Sequence, residues 1–328
     1  MSPGITRRGA GTLLAGALAT PAIAQTPPWP QAGPIRFIVP FGSGGTTDII
    51  ARIVAAEMSR RLGQSMVVEN RPGAGATLGT GQVARAAPDG YTLVLSVISA
   101  MVVGKVLYGP RVTWDPDADF AHIAMLMSTP YLWLVRPDLP IRSVADLVTE
   151  AKRRPDGLTY GTSGIGSMPH LTAVRFCRAA GISMQHAPYR GAAQVATDVM
   201  SGTLPLMVDS LTAASSNIRS GALRPLAHSW PERIPDFPDI PTFRELGYPD
   251  LVVDGWSGLA APARTPRPIV EKLAEAARDS LASPDLLRRY KDTATAPGRL
   301  FLDDAQRYVR EELAAWTPII QASGASVD

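Results

Sequence analysis

Short apolar runs alternate with amphipathic segments along most of the chain. The run at 35–40 is typical of a buried strand, and the apolar residues at 49–56 recur at helical spacing. Further strand-like runs lie at 66–69, 91–96, 131–135, 158–160, 185–189, 204–208 and 223–227, and helix-like segments lie at 78–86, 144–153, 192–200, 212–220, 269–281 and 303–316. This alternation predicts an α/β fold with mostly parallel sheets.

A glycine-rich loop joins the first predicted strand to the first predicted helix. Its residues are Phe41, Gly42, Ser43, Gly44, Gly45, Thr46, Thr47 and Asp48. Free backbone N–H groups and the positive end of the dipole at a helix start favour an anion. The loop therefore suggests a site for a carboxylate or another small oxyanion, although spacing alone is equally compatible with a tight turn. In the first helical turn, Asp48 either stabilises the dipole, orients the loop or pairs with a cationic group of a ligand.

A second unit of the same kind follows about 120 residues later. The segment 161–167 is again rich in glycine and hydroxyl residues, and it lies between the strand-like run 158–160 and a helix from about Pro169. Ligands bind open α/β sheets at the carboxyl ends of their strands. Two domains with such loops facing one another would enclose a cleft.

The amino-terminal segment has the pattern of a secretory signal. Arg7 and Arg8 precede an apolar run at 13–19, and the small residues 22–24 are typical of a cleavage site. A signal peptide at 1–24, used by the twin-arginine or the Sec route, would direct the chain to the periplasm. Its removal takes away two of the 32 basic residues and none of the 29 acidic ones, so the mature chain has a net charge of about +1. This charge gives little support to nucleic acid binding.

The sequence contains no motif for nucleotide binding or for metal binding. A Walker loop needs Lys after its last glycine, where Thr46 stands, and the dinucleotide motif needs a third glycine where Thr47 stands. The four histidines lack metal-ligand spacing, and Cys177 is the single cysteine. We therefore expect neither cofactor nor metal.

Hydrolase chemistry is the enzymatic alternative. Ser163, Ser167 and His170 lie close together in sequence, but the nucleophile elbow requires glycine two residues after the serine, and Ile165 follows Ser163 there. For His170, loop orientation or ligand contact is favoured over general base catalysis. We predict that the chain is not an enzyme and keep an exported α/β hydrolase as the weaker alternative.

The ordered motifs along the chain resemble one family. They are Gly44–Asp48, Val67–Gly75, Ala87–Leu93, Gly161–Ser167 with His170, Pro188–Gly191, Ser220–Ala227 and Pro238–Thr242. In order and spacing they resemble the extracytoplasmic solute receptors of tripartite tricarboxylate transporters, often called Bug proteins. The resemblance covers essentially the whole mature chain. One departure is Gly42-Ser43, where the family tends to carry Pro or Ala.

The resemblance implies a periplasmic binding protein, type II-like, with two α/β domains and a ligand cleft between them. It implies one domain at 25–128 and 228–328 and a second at 129–227. The ligand would be a small organic carboxylate, held through bridging waters and delivered by a monomeric receptor to a membrane permease; a sensory receptor is the alternative. The first jaw would be 41–48, and the remaining binding residues would be Thr162, Ser163, Gly164, Gly166, Ser167 and His170 in the second jaw, with Ser96, Tyr189 and Asp209 at strand ends.

Overall fold

The structure is a computed structural model that describes Met1 and residues 28–43, 46–189 and 191–325. The predicted signal peptide after Met1, both glycines at 44–45 and the side chain of Thr46 lie outside the described residues.

The described residues form two sheets with helices packed around them. The strands are β1 (Ile35–Val39), β2 (Met66–Asn70), β3 (Thr92–Val97), β4 (Phe120–Ser128), β5 (Tyr131–Val135), β6 (Thr159–Thr162), β7 (Gln185–Pro188), β8 (Leu206–Ser210), β9 (Arg224–His228), β10 (Ser257–Pro262) and β11 (Ala296–Pro297). The helices are α1 (Thr46–Leu62), α2 (Thr77–Ala84), α3 (Lys105–Tyr108), α4 (Val144–Arg153), α5 (Met168–Ala180), α6 (Ala192–Ser201), α7 (Leu211–Arg219), α8 (Arg267–Leu281), α9 (Pro284–Asp292) and α10 (Asp303–Ala322). The predicted α/β class is confirmed.

Strand order places both glycine loops at carboxyl ends of parallel strands. One sheet has the order β11-β4-β10-β3-β1-β2, and the other has the order β7-β6-β8-β5-β9. β1 runs parallel to β2 and β3, and β6 runs parallel to β7 and β8. The loop after β1 and the loop after β6 therefore each lie at the carboxyl ends of the strands, where α/β sheets bind ligands.

The prediction of mostly parallel sheets is wrong. β10 runs antiparallel to β3 and β4, β11 runs antiparallel to β4, and β5 runs antiparallel to β8 and β9. The reason is connectivity: the chain leaves the first sheet after β4, passes straight into β5, and returns only before β10. A strand that enters from the other sheet does not follow a crossover helix, so it is free to run opposite to its neighbours.

The two connections between the sheets lie side by side and bond to each other. Thr129 O accepts from Gly255 N at 2.8 Å, and Tyr131 O accepts from Ser229 N at 3.0 Å. Val253 N donates to Ser229 O at 3.1 Å. A short connection at 129–130 and a longer one at 229–256 thus link the sheets and are joined by hydrogen bonds, an arrangement typical of a hinge. None of the helices that the structure describes is both long and apolar enough to cross a membrane.

Candidate functional site

The two ends of the first loop are held by three side chains, those of Asp48, Arg52 and Asn70. The Asp48 carboxylate is buried and accepts from Asn70 Nδ2 at 2.8 Å and from Arg52 Nε at 3.0 Å. Asn70 Nδ2 also donates to Phe41 O at 3.0 Å, and Asn70 Oδ1 accepts from Arg52 at 3.0 Å. The group ties the start of the loop and the first turn of α1 to the end of β2. Of the roles predicted for Asp48, orienting the loop is the one that these contacts support.

Sequence reasoning missed the other two members of this group. Arg52 follows Asp48 by four residues, the spacing at which oppositely charged side chains meet on a helix, so that signal was available. Asn70 ends β2 and lies 22 residues from Asp48 in sequence. Its role depends on the pairing of β1 with β2, which places Val39 opposite Asn70.

The second loop turns sharply between β6 and α5. Gly164 and Gly166 have φ values of +138° and +72°, a region that side chains with a Cβ rarely occupy. Ser167 caps α5: its Oγ accepts from His170 N at 3.4 Å and donates to Gly164 O at 2.7 Å. The cap makes the loop and the helix start a single hydrogen-bonded unit.

Two histidines lie behind the second loop. His170 Nδ1 accepts from Gly166 N at 3.2 Å, and Thr162 Oγ1 lies 2.7 Å from His186 Nε2. The two imidazole rings stack with centroids 4.1 Å apart and an interplanar angle of 17°. Burial lowers the pKa of His170, and burial together with the neighbouring His170 lowers the pKa of His186 to about 4. At neutral pH both rings are uncharged and available as loop supports.

The second loop also contacts residues that follow β3 of the six-stranded sheet. A Cβ built on Gly166 would lie 2.7 Å from Leu107 Cδ1 and 4.0 Å from Val103 Cγ1. Leu107 belongs to α3, and Val103 lies in the π-helical segment Ser99–Gly104 that follows β3. The backbone of this loop therefore lies against the segments that follow the third strand of the first sheet, and a Cβ at 166 would displace the Leu107 side chain.

The three predicted site residues at strand ends lie in different surroundings. Ser96 is fully buried, and its Oγ has no hydrogen-bonding partner among the described residues. The Tyr189 hydroxyl donates to Asp198 Oδ2 at 2.7 Å. Tyr189 N donates to Thr162 O at 3.0 Å, so this residue, directly after β7, contacts the start of the second loop. Their contact with a ligand stays a prediction.

Asp209 is a buried acid at the carboxyl end of β8. Burial raises the pKa of its side chain to about 7. The hydrogen bond from Ser210 N to Oδ1, 2.7 Å long, lowers the pKa but offsets only part of the effect of burial. A sizeable fraction of Asp209 is therefore neutral at physiological pH, and its contact with a ligand stays a prediction.

The hydrogen bonds of the second loop do not form a catalytic pair. The Ser167 hydroxyl donates to a backbone carbonyl, and His170 Nδ1 accepts from a backbone amide. A nucleophile and a base need to bond to each other. The arrangement is suited to holding a loop, and with the two-sheet fold it defines a two-domain solute-binding protein of the type II periplasmic class.

The chain belongs to the tripartite tricarboxylate transporter receptors. The family model described as "Tripartite tricarboxylate transporter family receptor" matches residues 50–325. This confirms the resemblance drawn from the motifs, and it assigns the chain to substrate receptors rather than to enzymes. Solved structures similar to this chain include the periplasmic binding protein BugD, with a TM-score of 0.74 and 32% identity.

Individual relatives match over nearly the whole chain. Protein BugT of Bordetella pertussis is 32% identical over 310 residues, which cover 94% of each chain. The structure of Rpa4515 of R. palustris with adipate has a TM-score of 0.78 and 33% identity, and the match covers 91% of this chain and 99% of that one. MatC of Rhodopseudomonas palustris, with bound malate, has a TM-score of 0.75 and 31% identity, with coverages of 88% and 99%.

Proposed function

We propose that this chain captures a small organic carboxylate between the loops 41–48 and 162–170 and delivers it to the membrane permease of a tripartite tricarboxylate transporter. The observation that carries the proposal is the pair of glycine loops, each at the carboxyl end of a parallel strand and the amino end of a helix. Hydrogen bonds within the chain hold Phe41 and Asp48 of the first loop and Gly164 and Gly166 of the second. Preorganised amides at a helix start suit an oxyanion.

The composition of the loops indicates how the carboxylate would be held. Neither 41–48 nor 162–170 contains a lysine or an arginine. Binding would therefore use backbone N–H groups, hydroxyls and bridging waters, which cost about 0–2 kcal/mol each to order. The two similar structures that hold adipate and malate support a dicarboxylate of about four to six carbons as the first class to test.

We propose domain limits of 25–128 with 228–328 for one domain and 129–227 for the other. The six-stranded sheet takes its strands from 35–128 and 257–297, and the five-stranded sheet takes its strands from 131–228. Closure would bend the connections at 129–130 and 229–256. Each chain would carry a complete cleft, so we propose a monomer that acts in the periplasm after removal of residues 1–24.

Thermal shift across small carboxylates tests this function. An acid present at about 100 times its Kd stabilises the folded chain by about 2.7 kcal/mol, a rise of roughly 5 °C in Tm. We expect such a rise with at least one of adipate, malate, citrate, aspartate and benzoate. No shift with any of the five would contradict the proposal.

A matched pair of variants tests the placement of the jaws. Ser163→Trp fills the second loop with an indole and should abolish the shift. Ser216→Trp makes the same change on an exposed position of α7 and should keep it. Equal shifts in both variants would show that the acid binds elsewhere.

A further inference from the structure

His186 lies outside both predicted jaws and yet touches the second one. It belongs to β7, opposite Tyr160 of β6 in the sheet register. Its ring stacks on Tyr160 at 5.1 Å and on His170 at 4.1 Å, with interplanar angles of 25° and 17°. One side chain is thus held between the strand that enters the loop and the helix that leaves it.

The hydrogen bonds around Thr162 determine which nitrogen of His186 carries the proton. Thr162 Oγ1 lies 2.7 Å from His186 Nε2 and 3.3 Å from both the N and the O of Gly164. A hydroxyl has one proton to give. All three contacts are satisfied together only when His186 Nε2–H and Gly164 N–H donate to Thr162 Oγ1 and the hydroxyl donates to Gly164 O. This set of contacts favours the Nε2–H tautomer of His186.

His170 requires the same neutral state for a different reason. Its Nδ1 accepts from Gly166 N, so a proton on Nδ1 would bring two N–H groups face to face. The titratable groups that face His186 are His170 on α5 and Tyr160 on β6, and no carboxylate of the described residues contributes to its pKa. Without such a partner a charge on the stacked pair is disfavoured.

We propose that His186 is a positioning residue of the carboxylate site: through its Nε2–H it sets the Thr162 hydroxyl and, with it, the backbone of Gly164 in the orientation that binds the ligand. This inference rests on the proposed function. His186 acts through Thr162 and does not itself touch the carboxylate. Because His186 stacks on His170, it also holds the His170 ring in place to accept the hydrogen bond from Gly166 N.

Two variants separate hydrogen bonding from packing. His186→Phe keeps an aromatic ring between Tyr160 and His170 but has no donor. His186→Gln loses the stack but carries an amide N–H in place of Nε2–H. If His186 served only to fill space, Phe would be the better replacement. Because the positioning role depends on the donor, we expect the opposite order.

The affinity is measured by calorimetry at pH 7 with whichever of adipate and malate gives the larger thermal shift in the unmodified chain. We expect His186→Phe to bind about tenfold more weakly and His186→Gln to stay within roughly threefold of the unmodified chain. Phe at full affinity, or Gln weakened as much as Phe, would overturn the inference.

Amide hydrogen exchange of the ligand-free chain keeps this test separate from the proposed function. We expect the Gly164 N–H to exchange about tenfold faster in His186→Phe than in His186→Gln, since only the Phe variant loses the bond that holds Thr162. Equal exchange in the two variants would overturn the inference even if the chain binds carboxylates. If neither acid binds the unmodified chain, the proposed ligand class fails and the exchange experiment still decides the role of His186.

Discussion

At the scale of single residues, the one carboxylate of the first loop bonds to neighbouring side chains of the protein. Asp48 is the one acidic residue of the segment 41–48, and its carboxylate is occupied by Arg52 and Asn70. Charge-assisted hydrogen bonds of this kind are short and directional. These bonds therefore tie the two described ends of the loop, Phe41 and Asp48, to the end of β2.

Asn70→Asp tests this arrangement with a change of one atom. The carboxylate cannot donate to Phe41 O or to Asp48 Oδ1, and it places a second negative charge beside a buried one. We expect a loss of about 1–3 kcal/mol in the free energy of unfolding and an affinity for the best-binding carboxylate at least about tenfold lower. Urea unfolding and calorimetry measure the two effects.

Asn217→Asp is the control for this change. Asn217 lies on α7, and its side chain takes part in none of the hydrogen bonds found among the described residues. The control should stay within about 0.5 kcal/mol of the unmodified chain. Similar unfolding curves for the two variants would show that the Asn70 contacts do not fix the loop.

The sequence reveals such residues only when the partner is near. The glycine loops were predictable because the strand, the turn and the helix are adjacent in the chain. Asn70 and His186 were missed because their partners, Asp48 and Thr162, are 22 and 24 residues away and meet them only through strand pairing. The identity of an Asn or a His does not indicate which distant residue it will contact. The spacing of Asp48 and Arg52, four residues apart on a helix, does predict their contact.

At the scale of elements, boundaries were predicted best where a cap marks them. α4 runs over Val144–Arg153 as predicted, because Ser143 accepts from Asp146 N at 3.1 Å and basic residues occupy the last turn. β4 and β10 were missed. Both are almost wholly buried, so they lack the alternation that identifies a half-exposed strand, and β10 is composed largely of small residues.

Two serine caps allow helix stability to be separated from binding. Ser143→Ala and Ser167→Ala each remove an N-cap, of α4 and α5, and each should cost about 1 kcal/mol in the free energy of unfolding. Only Ser167 also donates to Gly164 O in the second jaw. We therefore expect Ser167→Ala alone to weaken carboxylate binding, by about tenfold, as measured by calorimetry. Equal affinities would show that the cap is not part of the binding geometry.

At the scale of the whole molecule, α10 connects the two halves. Its Trp316 ring lies under the guanidinium of Arg175 on α5, with Cζ 5.3 Å from the ring centroid. Glu312 of the same helix accepts from Trp316 Nε1 at 3.3 Å and from Trp256 Nε1, in the segment between the sheets, at 3.1 Å. Burial among these side chains raises the pKa of Glu312 to about 7. An acid of this kind makes the stability of the chain depend on pH.

The sign follows from the proton count. Between about pH 4.5 and 7 the folded chain holds a proton on Glu312 that the unfolded chain has lost, so the stability from this group is present at low pH and disappears as pH rises through 7. Between pH 6 and 8 the loss amounts to about 1.4 kcal/mol.

Glu312→Gln keeps an oxygen acceptor for both indoles and cannot ionise, so its unfolding free energy should fall less over this interval. Glu311→Gln, the same change at the exposed neighbouring position, should follow the unmodified chain. Urea unfolding at both pH values decides the matter, since parallel behaviour of the two variants would mean that Glu312 is already ionised in the folded molecule at pH 6.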